Sequence, residues 1–202
     1  MSSYADLAAR VLAAAPRLGG TRLVCVDGPA GSGKTTFAEE LARACAPAGG
    51  SAVPVVHMDD LYAGDDHGGG WTMRGAVARL GAGVLRPVRD GRAGRVHRHD
   101  WDTGRPADVP TPVPPGPVLV VEGCGCGARR LARWTTLLVW VEAPADLRLR
   151  RGLARDGEAL RPQWLAWQAD EAAVFAAEQT QERADLHVDG TASPPAGHHA
   201  VL

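Results

Sequence analysis

An apolar run, a glycine-rich loop and a helical pattern follow one another between Leu23 and Ala44. The apolar run Leu23–Asp27 predicts a buried strand of a parallel sheet. The loop after it reads Gly28-Pro29-Ala30-Gly31-Ser32-Gly33-Lys34-Thr35. Beyond the loop, a helix is predicted from apolar residues at helical spacing, which are Phe37, Leu41 and Ala44. The phosphate-binding G-x-x-x-x-G-K-T spacing of a P-loop requires strand, loop and helix in this order, which argues against a chance match.

Lys34 is the only lysine in the chain, which otherwise uses arginine as its strong base. A compact ammonium can reach the outer phosphates of a nucleotide where a planar guanidinium fits badly. The glycines let successive backbone N–H groups point at an anion, and the helix that follows adds its positive end. The predicted nucleotide-binding residues are Gly28, Ala30, Gly31, Ser32, Gly33, Lys34, Thr35 and Thr36. The Thr35 hydroxyl is also a predicted Mg²⁺ ligand, because this hard ion prefers oxygen.

The bulk properties of the chain exclude several classes of protein. A formal net charge of -1 leaves no electrostatic footprint for nucleic acid or an anionic membrane. No apolar stretch is long enough to span a bilayer, and the N-terminus lacks the pattern of a secretion signal. The four cysteines do not form a disulfide framework. These properties predict a cytoplasmic protein without nucleic-acid or membrane partners. They are compatible with a homo-oligomer.

Strand and helix patterns alternate along the rest of the chain. Further strands are predicted at 53–58, 118–121, 136–141 and 185–188, and further helices at 3–17, at 71–89, from Pro144 and from Pro162. This alternation predicts an α/β fold. Together with the P-loop, we expect a three-layer α/β/α P-loop NTPase with a mainly parallel five-stranded sheet and an arginine-bearing lid helix. We expect a single domain over 1–202, with its core at about 21–190, an N-terminal helix within 1–18 and a loose tail at 191–202.

Acidic residues occupy the ends of the predicted strands. They are Asp27, Asp59, Asp60, Glu122 and Glu142. Ligands bind beyond the carboxyl ends of the strands in open parallel sheets, although an acid there can also simply cap the next element. Glu122 is the predicted Mg²⁺ ligand, because its strand is the most apolar and is therefore expected to be central. Asp59 is the predicted general base, because it lies beside the glycine-rich loop 64–70 that could admit an acceptor.

Three arginines share one face of the helix predicted after Pro144. Arg148, Arg151 and Arg155 stand at positions i, i+3 and i+7. Their mutual repulsion favours a lid that closes on a transferring phosphate, and a solvated basic face is the alternative. His97, His99, Cys124 and Cys126 offer soft metal ligands, but their spacing matches no common zinc motif.

From about Thr21 to Gly190 the chain resembles the uridine kinase–phosphoribulokinase–pantothenate kinase group of P-loop kinases. The resemblance lies in GPAGSGKTT, Met58-Asp59-Asp60-Leu61-Tyr62, His99-Asp100-Trp101-Asp102, Val121-Glu122-Gly123 and Ala145–Asp156. The chain departs from uridine kinases at His99, where they carry tyrosine, and at Thr72, where they commonly carry a ribose-reading aspartate. Kinase chemistry is therefore better supported by the resemblance than uridine as the acceptor.

The resemblance implies an ATP- and Mg²⁺-dependent phosphotransferase acting on a hydroxyl of a small molecule. Its expected catalytic residues are Asp59, Lys34, Arg151 and Arg155, its metal ligands Thr35 and Glu122, and its acceptor-binding residues Tyr62, His99, Asp100, Trp101 and Arg148. A hydrogen-bonding ring, a carboxylate and a flat apolar face within three residues suit a nucleoside, unless Trp101 packs under the Pro-rich segment 106–117. The alternatives are another alcohol, such as a sugar, vitamin precursor or antibiotic, or a regulatory ATPase that phosphorylates only water.

Overall fold

The computed structural model describes residues 2–46, 50–62, 72–100, 105–192 and 197–201. The strands in these ranges are β1 (Ser2–Ser3), β2 (Arg22–Asp27), β3 (Val55–His57), β4 (Gly94–Val96), β5 (His99–Asp100), β6 (Arg105–Pro106), β7 (Thr111–Val113), β8 (Val118–Glu122), β9 (Thr135–Glu142), β10 (Leu186–Asp189) and β11 (His198–His199). The α-helices are α1 (Tyr4–Ala13), α2 (Lys34–Cys45), α3 (Met73–Arg79), α4 (Arg86–Arg89), α5 (Ala145–Asp156) and α6 (Arg161–Glu178). A π-helical segment, Leu80–Leu85, joins α3 to α4, and short 3₁₀ turns occur at Met58–Leu61, Arg129–Leu131 and Glu158–Leu160.

The main sheet has the order β10-β9-β2-β8-β3, and every neighbouring pair in it is parallel. The predicted α/β fold with a parallel five-stranded sheet is therefore confirmed. The expectation that the strand ending at Glu122 is central was wrong, because β2 holds that place. An apolar strand indicates that helices cover both of its faces, and β2 and β8 are both covered in this way.

Alternate residues of β2 pack into two separate apolar clusters on opposite faces of the sheet. Val24 and Val26 pack with residues of α1 and α2, including Phe37. Leu23 and Cys25 pack with residues of α3, α4 and α6. This alternation follows from the period of two along a strand, and it produces the three layers of the fold.

The chain ends meet next to α1. This helix begins after Ser3, whose hydroxyl accepts a hydrogen bond from the backbone N–H of Asp6 at 3.0 Å. The expectation of a loose C-terminal tail was wrong for 197–201, because β11 pairs antiparallel with β1. The His199 ring is buried against the rings of Tyr4 and Phe37, with centroids 5.2 and 5.4 Å away. Such contacts between the two ends leave no local pattern in the sequence.

Short antiparallel pairs lie outside the main sheet. Strand β4 pairs with β7, and β5 pairs with β6. The Pro-rich segment 106–117 thus contributes a paired strand, Thr111–Val113. Among the described residues, the helices are too short or too polar to cross a bilayer.

Candidate active site

The loop Gly28–Gly33 joins β2 to the first turn of α2. Gly33 precedes the helix with φ +101°, and no side chain within the described residues caps this helix N-terminus. Gly28 has φ +140°, and a Cβ there would lie 2.1 Å from the Val141 carbonyl oxygen, so only glycine fits. Thr35 and Thr36 are exposed in the first turn. The helix therefore presents free N–H groups and two hydroxyls to solvent, as an anion-binding site requires.

Lys34 projects into the buried space behind this loop, with 7% of its surface exposed. Its Nζ donates a hydrogen bond to the Pro29 carbonyl at 2.9 Å and lies 3.7 Å from the Cys124 sulfur. Burial alone lowers the pKa of Lys34, but the surrounding sulfur and carboxylates outweigh it and raise the pKa above its ordinary value. The carboxylates are those of Glu122, Asp27 and Asp59. The side chain is therefore held as a charged ammonium.

Asp27 organises the backbone next to the loop. Its fully buried carboxylate accepts hydrogen bonds from the N–H groups of Gly28, Gly125 and Gly127 at 2.8, 2.9 and 2.7 Å. Burial raises the pKa of Asp27 to about 6, although these three hydrogen bonds and Lys34 lower it. The carboxylate thus joins the end of β2 to the turn after β8, and this is a structural role.

Glu122 pairs with a residue that the sequence analysis did not single out. Its Oε1 accepts a hydrogen bond from Nδ1 of His57 at 2.7 Å, and the hydrogen bonds among the described residues do not use its Oε2. This hydrogen bond raises the pKa of His57, more than burial lowers it. His57 ends β3 directly before the Asp59 segment, so a strand-end search that included histidine would have found it.

The residues at this edge suit a magnesium ion that is shared with a nucleotide. Within the described residues, His, Cys, Asp and Glu side chains do not gather into a cage of three or more. Mg²⁺ is usually held by one or two carboxylates together with substrate phosphates and water. The exposed hydroxyl of Thr35 and the carboxylate of Glu122 are hard oxygen donors of the kind that Mg²⁺ prefers, and their role as its ligands stays a prediction.

Asp59 and Asp60 follow β3 in the turn Met58–Leu61 and have different surroundings. Asp59 is exposed, yet desolvation by the protein around its carboxyl and the nearby Glu122 charge raise its pKa, while Lys34 lowers it. Asp60 instead forms an ion pair with Arg98 at 3.2 Å. Asp59 is therefore the member of the pair that couples to the P-loop lysine.

The remaining strand-end acid, Glu142, is engaged away from this group. Its carboxylate accepts hydrogen bonds from the Trp140 indole at 2.9 Å and the Gln181 amide at 2.6 Å. Among the strand-end acids, Asp27, Asp59 and Glu122 thus lie near Lys34. Asp60 and Glu142 are engaged by other side chains.

The three arginines of α5 contact different partners. Arg151 is exposed and donates to the carbonyls of Gly31 at 3.2 Å and Gly190 at 3.0 Å. Arg155 pairs with Asp156 at 2.6 Å and lowers the pKa of Asp59. Arg148 is largely buried and pairs with Glu171 of α6 at 2.7 Å. The helix thus holds Arg151 against the P-loop and Arg155 within electrostatic reach of Asp59, and the catalytic roles of both remain predictions.

The predicted acceptor residues are only partly described. Tyr62 is buried, and its hydroxyl donates to the Cys124 carbonyl at 2.6 Å. His99 is buried in β5, which contacts the turn that carries Asp59. Trp101 and the side chain of Asp100 lie outside the described part of the chain. The acceptor site therefore stays a prediction, and the contacts of Arg148 favour a role inside the protein.

A cavity of about 550 Å³ opens beside the N-terminus of α2. Its lining includes Gly33, Thr36, Phe37, Arg151 and Gly190. A Cβ on Gly190 would lie 1.9 Å from the Ser32 carbonyl oxygen, so the chain after β10 packs directly on the P-loop. Cavities of this size hold small organic ligands. The sequence analysis did not identify Gly190 as a site residue, because a lone glycine after a strand carries no distinctive signal.

Comparisons with known proteins agree with this geometry. The AAA domain family model matches residues 24–175. A protein described as a possible uridine kinase, from Bacillus stearothermophilus, superposes with a TM-score of 0.62 at 19% identity, over 91% of this chain and 96% of its own. A protein described as a fructose transport system kinase, from Silicibacter sp. TM1040, superposes with a TM-score of 0.62 at 22% identity, over 86% and 95%.

The YGR205w protein has the same architecture, with a TM-score of 0.55 at 11% identity over 90% of both chains. A sequence comparison with curated proteins finds no match. At these identities the structural likeness shows the fold alone. It confirms, at the level of fold, the resemblance to uridine kinase-like P-loop kinases.

Proposed function

The chain belongs to the AAA domain family, and on that premise we propose that it is an ATP- and Mg²⁺-dependent kinase for a hydroxyl group of a nucleoside-like molecule. The observation that carries the proposal is the accessible carboxyl of Asp59, which lies within electrostatic reach of Lys34, Glu122 and Arg155. An acceptor hydroxyl bound at Asp59 would therefore lie close to phosphates bound at the P-loop. The kinase descriptions of two structural neighbours support the same reaction class.

The nucleotide is assigned to the P-loop and the cavity next to it. The phosphates accept hydrogen bonds from the free N–H groups at the start of α2, and Lys34 neutralises their charge. The nucleoside part enters the cavity of about 550 Å³ that adjoins Gly33 and Thr36. Thr35 and Glu122 would hold Mg²⁺, which would supply charge neutralisation for the phosphates.

Asp59 acts as the base for the acceptor hydroxyl. Burial and the Glu122 charge raise the pKa of its carboxyl, which makes it a better proton acceptor than a solvated aspartate. Arg151 and Arg155 cover the transferring phosphoryl group from α5, and they stabilise the charge that spreads over its oxygens. Most of the catalysis in this scheme comes from positioning and charge stabilisation.

The acceptor is placed between the Asp59 turn and β5, with Tyr62, His99, Asp100 and Trp101 as its proposed contacts. A ring, a carboxylate and an aromatic face in sequence support a polar ligand with a planar part, such as a nucleoside. A sugar, a vitamin precursor or an antibiotic hydroxyl is the second candidate, because His99 and Thr72 depart from the uridine kinase pattern. A regulatory ATPase is the third.

An ADP-release screen with ATP and Mg²⁺ separates these functions. The acceptors to be tested are nucleosides, sugars and pantothenate-like alcohols, each with the wild type and with Asp59→Asn. We expect nucleosides to stimulate ADP release in the wild type and the phosphorylated nucleoside to appear by mass spectrometry. If only another alcohol stimulates ADP release, that alcohol and not a nucleoside is the acceptor. ATP hydrolysis that no alcohol stimulates would favour the regulatory ATPase.

A further inference from the structure

We propose that Glu171 is a positioning residue that holds the P-loop in its phosphate-binding conformation and ties it to α5 through Arg148. The inference rests on the proposed function, because it concerns the same nucleotide site. Neither Glu171 nor Arg148 belongs to the P-loop motif. Glu171 lies 141 positions beyond Ala30, the loop residue that it contacts.

Glu171 reaches the P-loop from α6 with a carboxylate that is almost completely buried, at 2% exposure. Its Oε2 accepts a hydrogen bond from the backbone N–H of Ala30 at 2.8 Å. Its Oε1 accepts one from Nη1 of Arg148 at 2.7 Å. One side chain therefore joins α6, the P-loop and α5.

Arg148 contacts the carbonyl side of the same loop residue, Ala30. Its Nη1 lies 3.4 Å from the Ala30 carbonyl oxygen, and its Nε donates to the Ala143 carbonyl at 2.9 Å. A Cβ on Gly31 would lie 2.7 Å from the Arg148 carbonyl oxygen, so the backbone of α5 also packs on the loop. Ala30 is thus held at both its N–H and its carbonyl group.

Lys34 is connected to the same carboxylate through Cys124. The Cys124 sulfur lies 3.5 Å from Oε2 of Glu171 and 3.7 Å from Nζ of Lys34. Burial raises the pKa of the Cys124 thiol far above its ordinary value, so the thiol stays protonated and acts as a spacer. The buried carboxylate therefore contacts the backbone of Ala30 directly and reaches the ammonium of Lys34 through one thiol.

The pair also controls the charge near the bound phosphates. A lone buried carboxylate beside the loop would repel a nucleotide, and Arg148 neutralises it. Buried ion pairs add little net stability, because desolvation offsets their attraction, so stability alone does not explain this one. A role in shaping the loop and its charge would instead change the affinity for the nucleotide.

The test measures binding of a fluorescent ATP analogue, with Mg²⁺ and without any acceptor, to Glu171→Gln, Arg148→Gln and the double variant. Glu171→Gln preserves shape but weakens the hydrogen bond to Ala30 and leaves Arg148 without its carboxylate partner. We expect the poorer positioning of the loop to raise the nucleotide Kd about tenfold, the size of the effect when a hydrogen bond to a charged group is weakened. Arg148→Gln should raise Kd at least as much, because it leaves the carboxylate unneutralised. The double variant should bind better than the product of the two losses predicts.

Asp170→Asn is the matched control, because it removes the neighbouring exposed acid of the same helix. Its Kd should equal that of the wild type. A purely structural role would lower the thermal midpoint of Glu171→Gln and leave Kd unchanged at temperatures where the protein is folded, and that result would overturn the proposal. If Glu171→Gln does not fold, an unchanged Kd in Arg148→Gln overturns it equally. If the wild type binds the analogue but phosphorylates no acceptor, this result would contradict the kinase assignment and not the role of Glu171.

Discussion

Nδ1 of His57 lies 2.7 Å from Oε1 of Glu122, and the two residues are also direct neighbours across the parallel strands β3 and β8. The hydrogen bond fixes the orientation of a carboxylate that is 4% exposed and that adds to the charges around Lys34. A carboxylate held in this way at the carboxyl end of a strand is compatible with the proposed role of Glu122 as a Mg²⁺ ligand.

Glu122→Gln is expected to raise the Mg²⁺ concentration needed for half-maximal activity by on the order of tenfold or more, because an amide is a weaker ligand for a hard cation. The measurement is a magnesium titration at fixed ATP. Glu142→Gln is the control, since that strand-end acid binds Trp140 and Gln181. An unchanged titration in Glu122→Gln would make Glu122 a structural acid.

Asp59→Asn is expected to slow phosphoryl transfer by roughly 10²–10⁴-fold while the ATP Kd changes only slightly, because the variant loses a base and keeps the P-loop. Single-turnover kinetics and nucleotide binding measure the two effects separately. Asp60→Asn serves as the comparison, since its carboxylate pairs with Arg98. A loss confined to Asp60→Asn would mean that the neighbouring residue is the base.

Lys34→Arg is expected to lower turnover by at least about 10²-fold, although the charge is kept. The ammonium is buried beside the Pro29 carbonyl and the Cys124 sulfur, and a planar guanidinium cannot replace a compact point charge there with the same geometry. Steady-state turnover is compared with that of Arg43→Lys, an exposed change of basic residue on the same helix. Activity close to wild type in Lys34→Arg would contradict this requirement for an ammonium.

Gly190→Ala is expected to weaken both stability and nucleotide binding. The added Cβ would meet the carbonyl oxygens of Ser32 at 1.9 Å and Glu142 at 3.0 Å, so the P-loop must shift. Such overpacking typically costs about 1–3 kcal/mol of unfolding free energy. Chemical denaturation and ATP titration measure the two losses. Gly20→Ala should have neither effect, because no atom of the described residues would lie within 4 Å of the added Cβ. An equal response of both variants would refute the packing argument.

Acidic pH is expected to weaken the attachment of residues 197–201. Burial, the chain amino terminus and His198 lower the pKa of His199 below its ordinary value of 6.5. The unfolded chain therefore binds a proton at His199 more readily, so stability holds above this value and falls as the pH drops through the folded-state pKa. His199→Phe keeps the ring contacts with Tyr4 and Phe37 and cannot titrate. Thermal midpoints at about pH 7.5 and about pH 5 should differ more for the wild type than for this variant, and equal differences would contradict the prediction.

The sequence determined the P-loop, the parallel sheet and the positions of most helices, because these features depend on short-range patterns. Glycine spacing reports the backbone conformation of a loop, and apolar runs report which strands helices cover on both faces. The apolar strand ending at Glu122 was therefore predicted correctly as buried, but burial alone placed it wrongly at the centre of the sheet.

Only the tertiary structure decided which partner each polar residue contacts. Asp27 and Asp59 both end apolar segments, yet backbone amides engage the first, whereas the second is exposed beside the charges of Glu122 and Lys34. The contacts of His57 with Glu122 and of Glu171 with Ala30 join residues 65 and 141 positions apart. No local pattern records such partnerships, because hydrogen bonds between distant segments depend on how the elements pack around the sheet.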